Sequence, residues 1–588
     1  MMFEANFSQI KPKTCPASSG VDMTGVMTAI STITANTTAP LLNDLSELLT
    51  RHVQEQSERT AVGTSDGRTL VSYGQLDALV RSAMTQLSEL GLSRGATVAL
   101  VSDNCVEFVV GLLAIVSSGA RVAPLNPALT LAELSRRLSQ LSAHGVLVPQ
   151  HLASKLEFAD AIAGSVTRCV MSIESSGGAH RVLIADRNGK SPASGVAGET
   201  SGPIDGDDVA IVMFTAGTTS APKLVPLTHR NILASVENIA SGYDLSPQDA
   251  TLIVMPLFHG HGLMAGLLAT LANGGSAYLP STGGFSAHLF WPDVVRLGVT
   301  WYTAVPTIHR ILVNRASKDY PSSSPVKLRF IRSCSAPLDE ELATATVATF
   351  RVPMISAYGM TETSHQLSSN PLPVHGSNKT SSVGLPTGVE IRIVAEDGKD
   401  AATGSVGEIW VRGATVTTGY LNNPEANSAS FVDGWFRSGD LGSRDADGYL
   451  FVRGRIKEII NRGGEKISPG DIDAVLLSNP KVLEAASFGE SDPIYGENVH
   501  AAVILRPGME GTEGELRDYC RTKLSAFEVP ERIYIVPYFP RTAKGSTDRH
   551  ALALQFNAGD SPLGSFRRER NLSSPTLSRA DMERGAKK

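Results

Sequence analysis

The stretch from residue 209 to residue 223, Val-Ala-Ile-Val-Met-Phe-Thr-Ala-Gly-Thr-Thr-Ser-Ala-Pro-Lys, indicates how the chain folds and what it binds. The apolar run Val209 to Phe214 is too short for a helix and suits a buried strand. The polar residues after it should therefore emerge at a sheet end, where ligands bind in α/β folds. Hydroxyl donors, a glycine that lets the backbone approach closely, and the charge of Lys223 together suit a phosphate.

An ordinary P-loop nucleotide hydrolase does not account for this loop. A Walker A loop ends in Gly-Lys followed by Ser or Thr and opens a helix, whereas here Pro222 precedes Lys223. The candidate phosphate-binding residues are Thr215, Gly217, Thr218, Thr219 and Lys223. A threonine-rich surface turn is the alternative when the loop is considered alone, so the rest of the chain has to decide between the two.

The composition is that of a globular protein and does not favour nucleic-acid binding. The 588 residues are 42% hydrophobic and 19% charged, and they carry a formal net charge of -6, which argues against nucleic-acid binding as the main task. The five cysteines are far apart and form no Cys-x-x-Cys pair. This spacing argues against a disulfide framework and a structural zinc site, and it fits a reducing compartment.

Neither terminus carries a recognisable targeting signal. The first 40 residues are rich in Ser, Thr and Ala and lack the apolar core of a secretory signal, so we expect disorder there. The longest apolar run, Phe108 to Val116, is too short to span a bilayer. The chain ends in Arg584-Gly-Ala-Lys-Lys588, which is not a Ser-Lys-Leu type signal. We expect a cytoplasmic or peroxisomal protein, and the sequence does not indicate its oligomeric state.

The order of patterns along the chain predicts an α/β fold. Strand and helix patterns alternate from about residue 96 to residue 357, as in parallel sheets, although residues 175–207, rich in Gly, Ser and Asp, are predicted to form a loop. From 383 to 450 the pattern changes to short strands joined by Asp-Gly turns, which predicts a small antiparallel or barrel-like subdomain. About 100 residues of mixed α/β pattern follow the charged segment 453–457.

Three further segments carry polar residues of interest, and each alone could be a solvated turn. Residues 358–363, Tyr-Gly-Met-Thr-Glu-Thr, place a hydroxyl beside a carboxylate, and Glu362 could hold Mg²⁺ together with phosphate oxygens. Asp440, after a glycine, could accept hydrogen bonds from a ribose diol. Residues 454–466 alternate basic residues with glycines.

Together and in this order, these segments closely resemble the core motifs of the adenylate-forming superfamily, which includes acyl-CoA synthetases, luciferase-like enzymes and adenylation domains. The resemblance covers roughly residues 41 to 555. Four intervening stretches, at 255–263, 301–309, 330–338 and 460–469, look most like the oxalate-CoA ligase, or peroxisomal-CoA-synthetase-like, branch.

The resemblance implies a division into domains. It implies a large multi-lobed N-terminal domain at 41–456, with parallel sheets and the barrel-like subdomain, and a small mobile α+β lid domain at 457–555. We expect disorder at 1–40 and 556–588. The lid should rotate about Lys457 between two half-reactions.

The resemblance also implies a role for each motif in an ATP-, Mg²⁺- and CoA-dependent reaction. A carboxylate joined to AMP becomes a mixed anhydride that the thiol of CoA can open. Thr361 and Glu362 should act at the α-phosphate, with Glu362 as the metal ligand. The implied nucleotide-binding residues are Ser335, Ala336, Pro337 and Tyr358 at adenine and Asp440 and Arg455 at the ribose, and Gly463 and Gly464 should line the pantetheine tunnel.

The acyl pocket implied by the same match is polar. Its residues should be His259, His261, His309, Arg332 and Ser333. A zinc site at His259 and His261 lacks an evident third ligand. A polar acid, such as a second carboxylate, is the better match, because a buried cation would be wasted on an alkyl chain. Any one of the histidines could instead be structural, with its ring nitrogens hydrogen-bonded to the backbone.

The sequence departs from the superfamily pattern at two positions. Ala216 stands where a Ser or Thr is usual, which removes one hydroxyl donor from the phosphate loop. Near the C-terminus the usual Pro-Lys-Thr-x-x-Gly-Lys becomes Pro540-Arg-Thr-Ala-Lys-Gly-Ser546, so serine replaces the lysine that reaches the α-phosphate. Lys544, two positions earlier, could point the same way from an extended segment, and we predict slow adenylation.

The sequence therefore predicts an AMP-forming acid-CoA ligase, with oxalate or another small polar acid as the first substrate to test. One alternative is a fungal-type ligase that activates an acid of specialised metabolism. The other is a degenerate nucleotide-binding paralogue that binds ATP without turnover. The expected ligands are ATP, Mg²⁺, CoA and a small carboxylic acid.

Overall fold

The computed structural model describes residues 42–154, 166–186, 203–215, 222–321, 325–541 and 547–557. The strands of the first half are β1 (Thr60–Thr64), β2 (Leu70–Ser72), β3 (Thr97–Val101), β4 (Arg121–Leu125), β5 (Gly145–Pro149), β6 (Thr167–Ser176), β7 (Ala179–Asp186), β8 (Val209–Phe214), β9 (Leu224–Thr228), β10 (Ala250–Leu252), β11 (Ser276–Leu279), β12 (Trp301–Ala304) and β13 (Phe330–Ser333). Those of the second half are β14 (Met354–Tyr358), β15 (Ser368–Ser369), β16 (Leu385–Pro386), β17 (Glu390–Val394), β18 (Gly407–Arg412), β19 (Phe431–Val432), β20 (Trp435–Arg444), β21 (Leu450–Arg455), β22 (Ile460–Arg462), β23 (Glu465–Ile467), β24 (Val482–Asp492), β25 (Gly496–Leu505) and β26 (Arg532–Ile535).

The helices alternate with these strands over most of the chain. The α-helices are α1 (Thr50–Gln56), α2 (Tyr73–Glu89), α3 (Val106–Ser117), α4 (Leu131–Leu141), α5 (His229–Gly242), α6 (Ala269–Ala272), α7 (Phe290–Leu297), α8 (Pro306–Asp319), α9 (Glu340–Phe350), α10 (Pro424–Ser430), α11 (Pro469–Leu477), α12 (Glu513–Arg521) and α13 (Arg549–Asn557). A π-helix, His261–Leu268, leads into α6, and short 3-10 helices lie at Thr361–Thr363 and Ile456–Glu458.

Two large sheets with parallel centres form the first part of the fold. The nine-stranded sheet has the order β16-β15-β14-β13-β12-β10-β11-β1-β2, and its neighbours are parallel from β14 to β1. The seven-stranded sheet has the order β7-β6-β5-β3-β4-β8-β9, with an antiparallel strand at each edge. The carboxyl ends of the parallel strands carry most of the candidate site, as expected for open α/β sheets.

Helix α3 explains the longest apolar run in the sequence. Ten of its residues are buried, and its side chains belong to one core with residues from both sheets. A helix that is apolar on all sides is a buried helix, and this one is too short to span a membrane. Within the described residues, no helix is both long and apolar enough to cross a bilayer.

The second half of the chain forms two smaller five-stranded sheets. Strands β17, β18, β20 and β21 pair antiparallel in that order, with β19 against β20, as the Asp-Gly turns predict. The other sheet has the order β23-β22-β25-β24 with β26 parallel to β25, and helices α11, α12 and α13 pack on it. The predicted α/β class is confirmed, whereas the domain boundaries stay a prediction.

One local prediction is wrong in part. The predicted loop at 175–207 contains the end of β6 and all of β7, which pair as an antiparallel hairpin, and residues 187–202 lie outside the described residues. Val182 and Ile184 alternate toward the core of the sheet and are buried. This two-residue period makes the segment a strand even though its flanks have a loop-like composition.

Candidate active site

The predicted phosphate loop connects two hydrogen-bonded strands. Strand β8 covers the residues predicted for it, and β9 begins directly after Lys223. The backbone N–H of Thr215 donates to the carbonyl of Lys223 at 3.0 Å, and the Lys223 N–H donates to the Thr215 hydroxyl at 3.1 Å. Ala216, Gly217, Thr218 and Thr219 lie outside the described residues. Thr215 and Lys223 therefore fix the base of the loop.

Lys223 lies beside the candidate metal ligand. Its ammonium is 4.2 Å from the ring centre of Tyr420, whose hydroxyl donates to Oε1 of Glu362 at 3.0 Å. Burial lowers the pKa of Lys223, the carboxylate of Glu362 acts to raise it, and the charge of Lys457 lowers it. Lys223 is thus close enough to Glu362 and to Lys457 to interact with each of them electrostatically.

The candidate ribose site is an acid–base pair on adjacent strands. Asp440 on β20 and Arg455 on β21 are direct cross-strand partners, and their side chains form a salt bridge of 3.2 Å. The hydroxyl of Tyr358 donates to the other oxygen of Asp440 at 2.6 Å. Burial raises the pKa of Asp440, and the charge of Arg455 opposes that shift. Tyr358, expected at adenine, thus contacts the pair expected at the ribose.

A buried polar cluster lies at the ends of β12 and β13. Arg332 is 0% exposed, and its guanidinium donates to Tyr243 at 2.9 Å, to Thr303 at 3.0 Å and to Gln366 at 2.9 Å. The nitrogen that donates to Gln366 also lies 3.1 Å from Nε2 of His365. None of the salt bridges formed by the described residues involves Arg332, so its buried charge has only neutral partners.

His261 links this cluster to the predicted adenine loop. Its ring stacks on that of His365 with centroids 5.1 Å apart, and its two nitrogens contact the hydroxyls of Thr303 at 2.6 Å and Ser335 at 3.0 Å. Burial, followed by the neighbouring imidazoles and Arg332, holds the pKa of His261 well below its usual range. His261 is therefore a neutral imidazole at neutral pH.

Two of the predicted acyl-pocket residues, His309 and Ser333, differ in whether their polar atoms have hydrogen-bond partners. His309 is fully buried, with Nδ1 3.3 Å from the Tyr302 hydroxyl and Nε2 3.2 Å from the Ala304 carbonyl, and burial lowers its pKa to about 4. The hydroxyl of Ser333 is buried and has no hydrogen-bond partner among the described residues. His309 thus has the contacts of a structural histidine, whereas Ser333 can still bond to a ligand.

The backbone beside the metal-ligand candidate is strained. Ser364 and His365 have φ values of 52° and 93°, which are uncommon for residues other than glycine. Gly359 passes so close to the carbonyl of His365 that a Cβ there would lie 1.4 Å from it. Strain of this kind persists only where the surroundings enforce it, and it is concentrated at functional sites.

The remaining candidates lie at loops around these groups. His259 precedes the π-helix, a helix type often found at functional sites. Ser335, Ala336 and Pro337 follow β13, Thr361 lies in the 3-10 helix of Glu362, and Lys457 lies in the next 3-10 helix, after β21. Gly463 and Gly464 form a two-residue hairpin turn with φ values of 60° and 95°, which glycine adopts readily.

Some candidates were missed from the sequence, and others cannot be placed. Tyr243, Thr303, His365, Gln366 and Tyr420 were not predicted, although Thr303 lies within the stretch 301–309, and His365 and Gln366 follow Thr361-Glu362-Thr363 after one intervening residue. Lys544 and Ser546 lie outside the described residues. Tyr243 and Tyr420 lie outside the motifs, which explains why local sequence patterns did not reveal them.

The residues of the site fit Mg²⁺. The described residues include no group of three or more His, Cys, Asp or Glu side chains that could hold a metal. Mg²⁺ needs only one or two carboxylates, because phosphate oxygens and water complete its octahedron. Glu362 offers one such carboxylate within reach of Lys223.

Comparisons with known proteins agree with this geometry. The AMP-binding enzyme family matches residues 49–421, and the AMP-binding enzyme C-terminal domain matches residues 471–546. An oxalate–CoA ligase of Arabidopsis thaliana is 43% identical over 520 residues, covering 87% of this chain and 98% of its own. An oxalate–CoA ligase of Saccharomyces cerevisiae is 36% identical over 555 residues, with 90% and 98% covered.

A solved structure supports the same assignment. ATP-bound MatB from Rhodopseudomonas palustris superposes with a TM-score of 0.77 at 26% identity, covering 87% of this chain and 99% of that one. The family matches cover more than half of the chain, in the order that the motifs predict. The chain therefore belongs to the AMP-binding enzyme family and is an AMP-forming acid–CoA ligase that uses ATP, Mg²⁺ and CoA.

Proposed function

We propose that the acid activated by this ligase is oxalate or an equally small acid with two negative charges. The observation that supports this choice is the fully buried guanidinium of Arg332, which has only neutral hydrogen-bond partners. A buried charge of this kind is costly unless an opposite charge approaches it. A dianionic substrate would supply that charge.

The acid need not touch Arg332 to benefit from it. Electrostatic interactions extend over several ångströms in a buried site, where the effective dielectric constant is low. His261 and His365 lie between the guanidinium and the loop that carries Ser335. The Ser333 hydroxyl can donate to a second carboxylate, whereas an alkyl chain would leave it unpaired.

The two relatives reported above support oxalate as the first acid to test. Both are oxalate–CoA ligases, from a plant and from a fungus, and both are covered by this chain almost completely. Similar relatives can differ in the acid that they activate, so their names suggest the first substrate and the pocket supplies the physical reason for it.

We further propose how the site residues share the first half-reaction. The negative charge that develops on the phosphates needs donors and cations placed in advance. Lys223 and Thr215 would bind the phosphates, and Asp440 with Arg455 would hold the ribose. Glu362 would bind Mg²⁺, which neutralises charge on the phosphate oxygens. Lys457 would act as the hinge, and Gly463 and Gly464 would line the path of the thiol.

An acid panel tests this proposal. Wild-type enzyme is given Mg·ATP with oxalate, malonate, succinate, acetate or octanoate, and the adenylate is trapped with hydroxylamine while pyrophosphate is measured. We expect oxalate to give the highest kcat/KM, at least about tenfold above acetate, because one hydrogen bond to a charged group is worth roughly that much.

Three other outcomes would contradict the proposal in different ways. Equal rates with acetate and oxalate would mean that the buried cation does not select the acid. A preference for octanoate or a larger acid would favour a ligase of specialised metabolism. Tight ATP binding without hydroxamate from any acid would favour the degenerate paralogue.

A further inference from the structure

A tyrosine that no motif predicts lies between the two charged groups of the phosphate and metal site. The ring of Tyr420 faces the Lys223 ammonium at 4.2 Å, and its hydroxyl donates to Glu362 at 3.0 Å. We propose that Tyr420 is a positioning residue that keeps Glu362 and Lys223 from pairing with each other, so that the carboxylate is free for Mg²⁺ and the ammonium for phosphate. The inference rests on the roles proposed above for these two residues.

Without a spacer, the two side chains would be expected to pair. They carry opposite charges, and the carboxylate of Glu362 acts to raise the pKa of Lys223. A carboxylate and an ammonium in a partly buried site attract each other more strongly than they do in water. Yet no salt bridge joins them among the described residues, and each contacts Tyr420 instead.

Tyr420 is held firmly enough to act as a spacer. Its backbone N–H donates to the side-chain carbonyl of Asn427 at 2.6 Å, and the Asn427 amide donates back to the Tyr420 carbonyl at 3.0 Å. The next residue, Leu421, donates its N–H to the carbonyl of Leu224, which directly follows Lys223. These bonds tie Tyr420 both to helix α10 and to the base of the phosphate loop.

The two contacts of Tyr420 have separate chemical effects. Burial, and then the negative charge of Glu362, raises the pKa of Tyr420, so the phenol stays protonated and remains a donor. Its bond to Oε1 leaves the other oxygen of Glu362 for the metal. The ring face attracts the ammonium by a cation–π interaction without neutralising its charge.

The sequence also offers a matched control. Tyr449 is 6% exposed, as Tyr420 is, and its ring centre lies 4.3 Å from the ammonium of Lys379. Its hydroxyl, however, donates to the backbone carbonyl of Ser377 at 2.5 Å, and no candidate site residue is involved. Tyr449→Phe therefore removes a phenol of equal burial and similar contacts without touching the metal site.

The test compares Tyr420→Phe, Tyr420→Leu and Tyr449→Phe with the wild type. ATP binding is measured by calorimetry over a range of Mg²⁺ concentrations. Tyr420→Phe keeps the ring and loses the bond to Glu362, so the Mg²⁺ concentration for half-maximal ATP binding should rise about tenfold. Affinity for ATP at saturating Mg²⁺ should change less than about twofold. Tyr420→Leu should also weaken ATP binding at saturating Mg²⁺, because Lys223 can then pair with Glu362.

A purely structural role for Tyr420 predicts another pattern. Tyr420→Phe would then have the same Mg²⁺ dependence as Tyr449→Phe, and that result would overturn the inference. If Tyr420→Leu does not fold, the Mg²⁺ dependence of Tyr420→Phe compared with that of Tyr449→Phe still tests the inference. Nucleotide binding needs no acid, so a failure of oxalate in the acid panel would leave this experiment unaffected.

Discussion

The nucleotide side and the acyl side of the site differ in how their charges are balanced. On the nucleotide side, opposite charges lie close together. Asp440 forms a salt bridge with Arg455, and the carboxylate of Glu362 interacts electrostatically with the ammonium of Lys223. On the acyl side, Arg332 is fully buried among neutral hydroxyl, amide and imidazole groups. The first arrangement is close to neutral by itself, whereas the second has an unbalanced positive charge.

This difference suggests that the nucleotide side supports the adenylation step for every acid, whereas the acyl side selects the acid. Every acid that the enzyme activates needs the same ATP and Mg²⁺, so changes on the nucleotide side should affect all acids equally. The buried cation interacts with the acid alone, so changes there should alter the preference among acids. Substitutions on each side test this separation of roles.

The largest effect is expected from Glu362→Gln. The substitution removes the proposed metal ligand while keeping its size, so pyrophosphate release should fall at least about 100-fold for every acid, as for the loss of transition-state charge stabilisation. The measurement is pyrophosphate release with oxalate and with acetate. Glu390→Gln, at an exposed carboxylate paired with Arg412, is the control and should retain wild-type rates. A loss confined to one acid would break the separation between the two sides.

The next effect is expected from Arg332→Leu. Removing the buried charge should lower kcat/KM for oxalate by about 100-fold, with most of the change in KM, because a charged hydrogen-bonded group is lost from a buried site. For a fatty acid the KM should change far less. Arg329→Leu is the control: Arg329 pairs with Asp249, so its loss should act on both acids equally. Equal effects of Arg332→Leu on both acids would contradict the assignment.

A smaller effect is expected at the C-terminal motif. Ser546→Lys restores the positive charge that the superfamily places at the α-phosphate, and the rate of pyrophosphate release should rise about tenfold for all acids. Lys544→Ala should lower that rate if Lys544 acts as the substitute. Lys523→Ala, at a lysine that contacts Tyr519, is the control. A fast wild type with no gain from Ser546→Lys would show that the departure has no catalytic cost.

The smallest effect concerns stability and pH. Burial lowers the pKa of His309 to about 4 and that of His261 well below its usual range. In the unfolded chain both titrate near about 6.5, so below about pH 6.5 the unfolded state binds more protons, and stability falls as the pH falls; for His309 this window ends near pH 4. Each histidine contributes up to about 1.4 kcal/mol per pH unit in that window.

Urea denaturation at about pH 7, 6 and 5 measures this dependence of stability on protonation. His309→Gln should flatten the fall in the urea midpoint, because one neutral buried histidine is removed, and it should leave the Mg²⁺ dependence of ATP binding unchanged. An unchanged slope in His309→Gln would mean that this histidine does not carry the acid sensitivity of the acyl side.

Much of the nucleotide side was predictable because its groups lie in short segments next to strand ends. Strand β8 covers the predicted residues, and the pairing of Asp440 with Arg455 follows from two adjacent antiparallel strands. Tyr358, which was expected at adenine, donates a hydrogen bond to Asp440 of this pair. The roles of these residues in binding ATP stay predictions, as do the domain boundaries.

The acyl side was predictable only in part. Arg332 and His261 were predicted as candidates, but nothing in the order of residues indicates that Arg332 has only neutral partners. Tyr243 is 89 positions from Arg332, and Thr303 becomes its neighbour only because β12 and β13 pair in register. His309 shows the opposite case, since a predicted pocket residue has both ring nitrogens engaged by its own surroundings.

That this chain adenylates an acid can be recognised from its sequence, because each chemical group of that reaction lies in a short motif and these motifs follow one another in a characteristic order. Which charges are balanced and which are not becomes visible only in the folded chain. Tyr420 meets Glu362 across 58 positions, and Arg332 is enclosed by residues from several strands and helices. The physical reason is that charge balance depends on distance in space and on burial, and neither can be read from the order of residues.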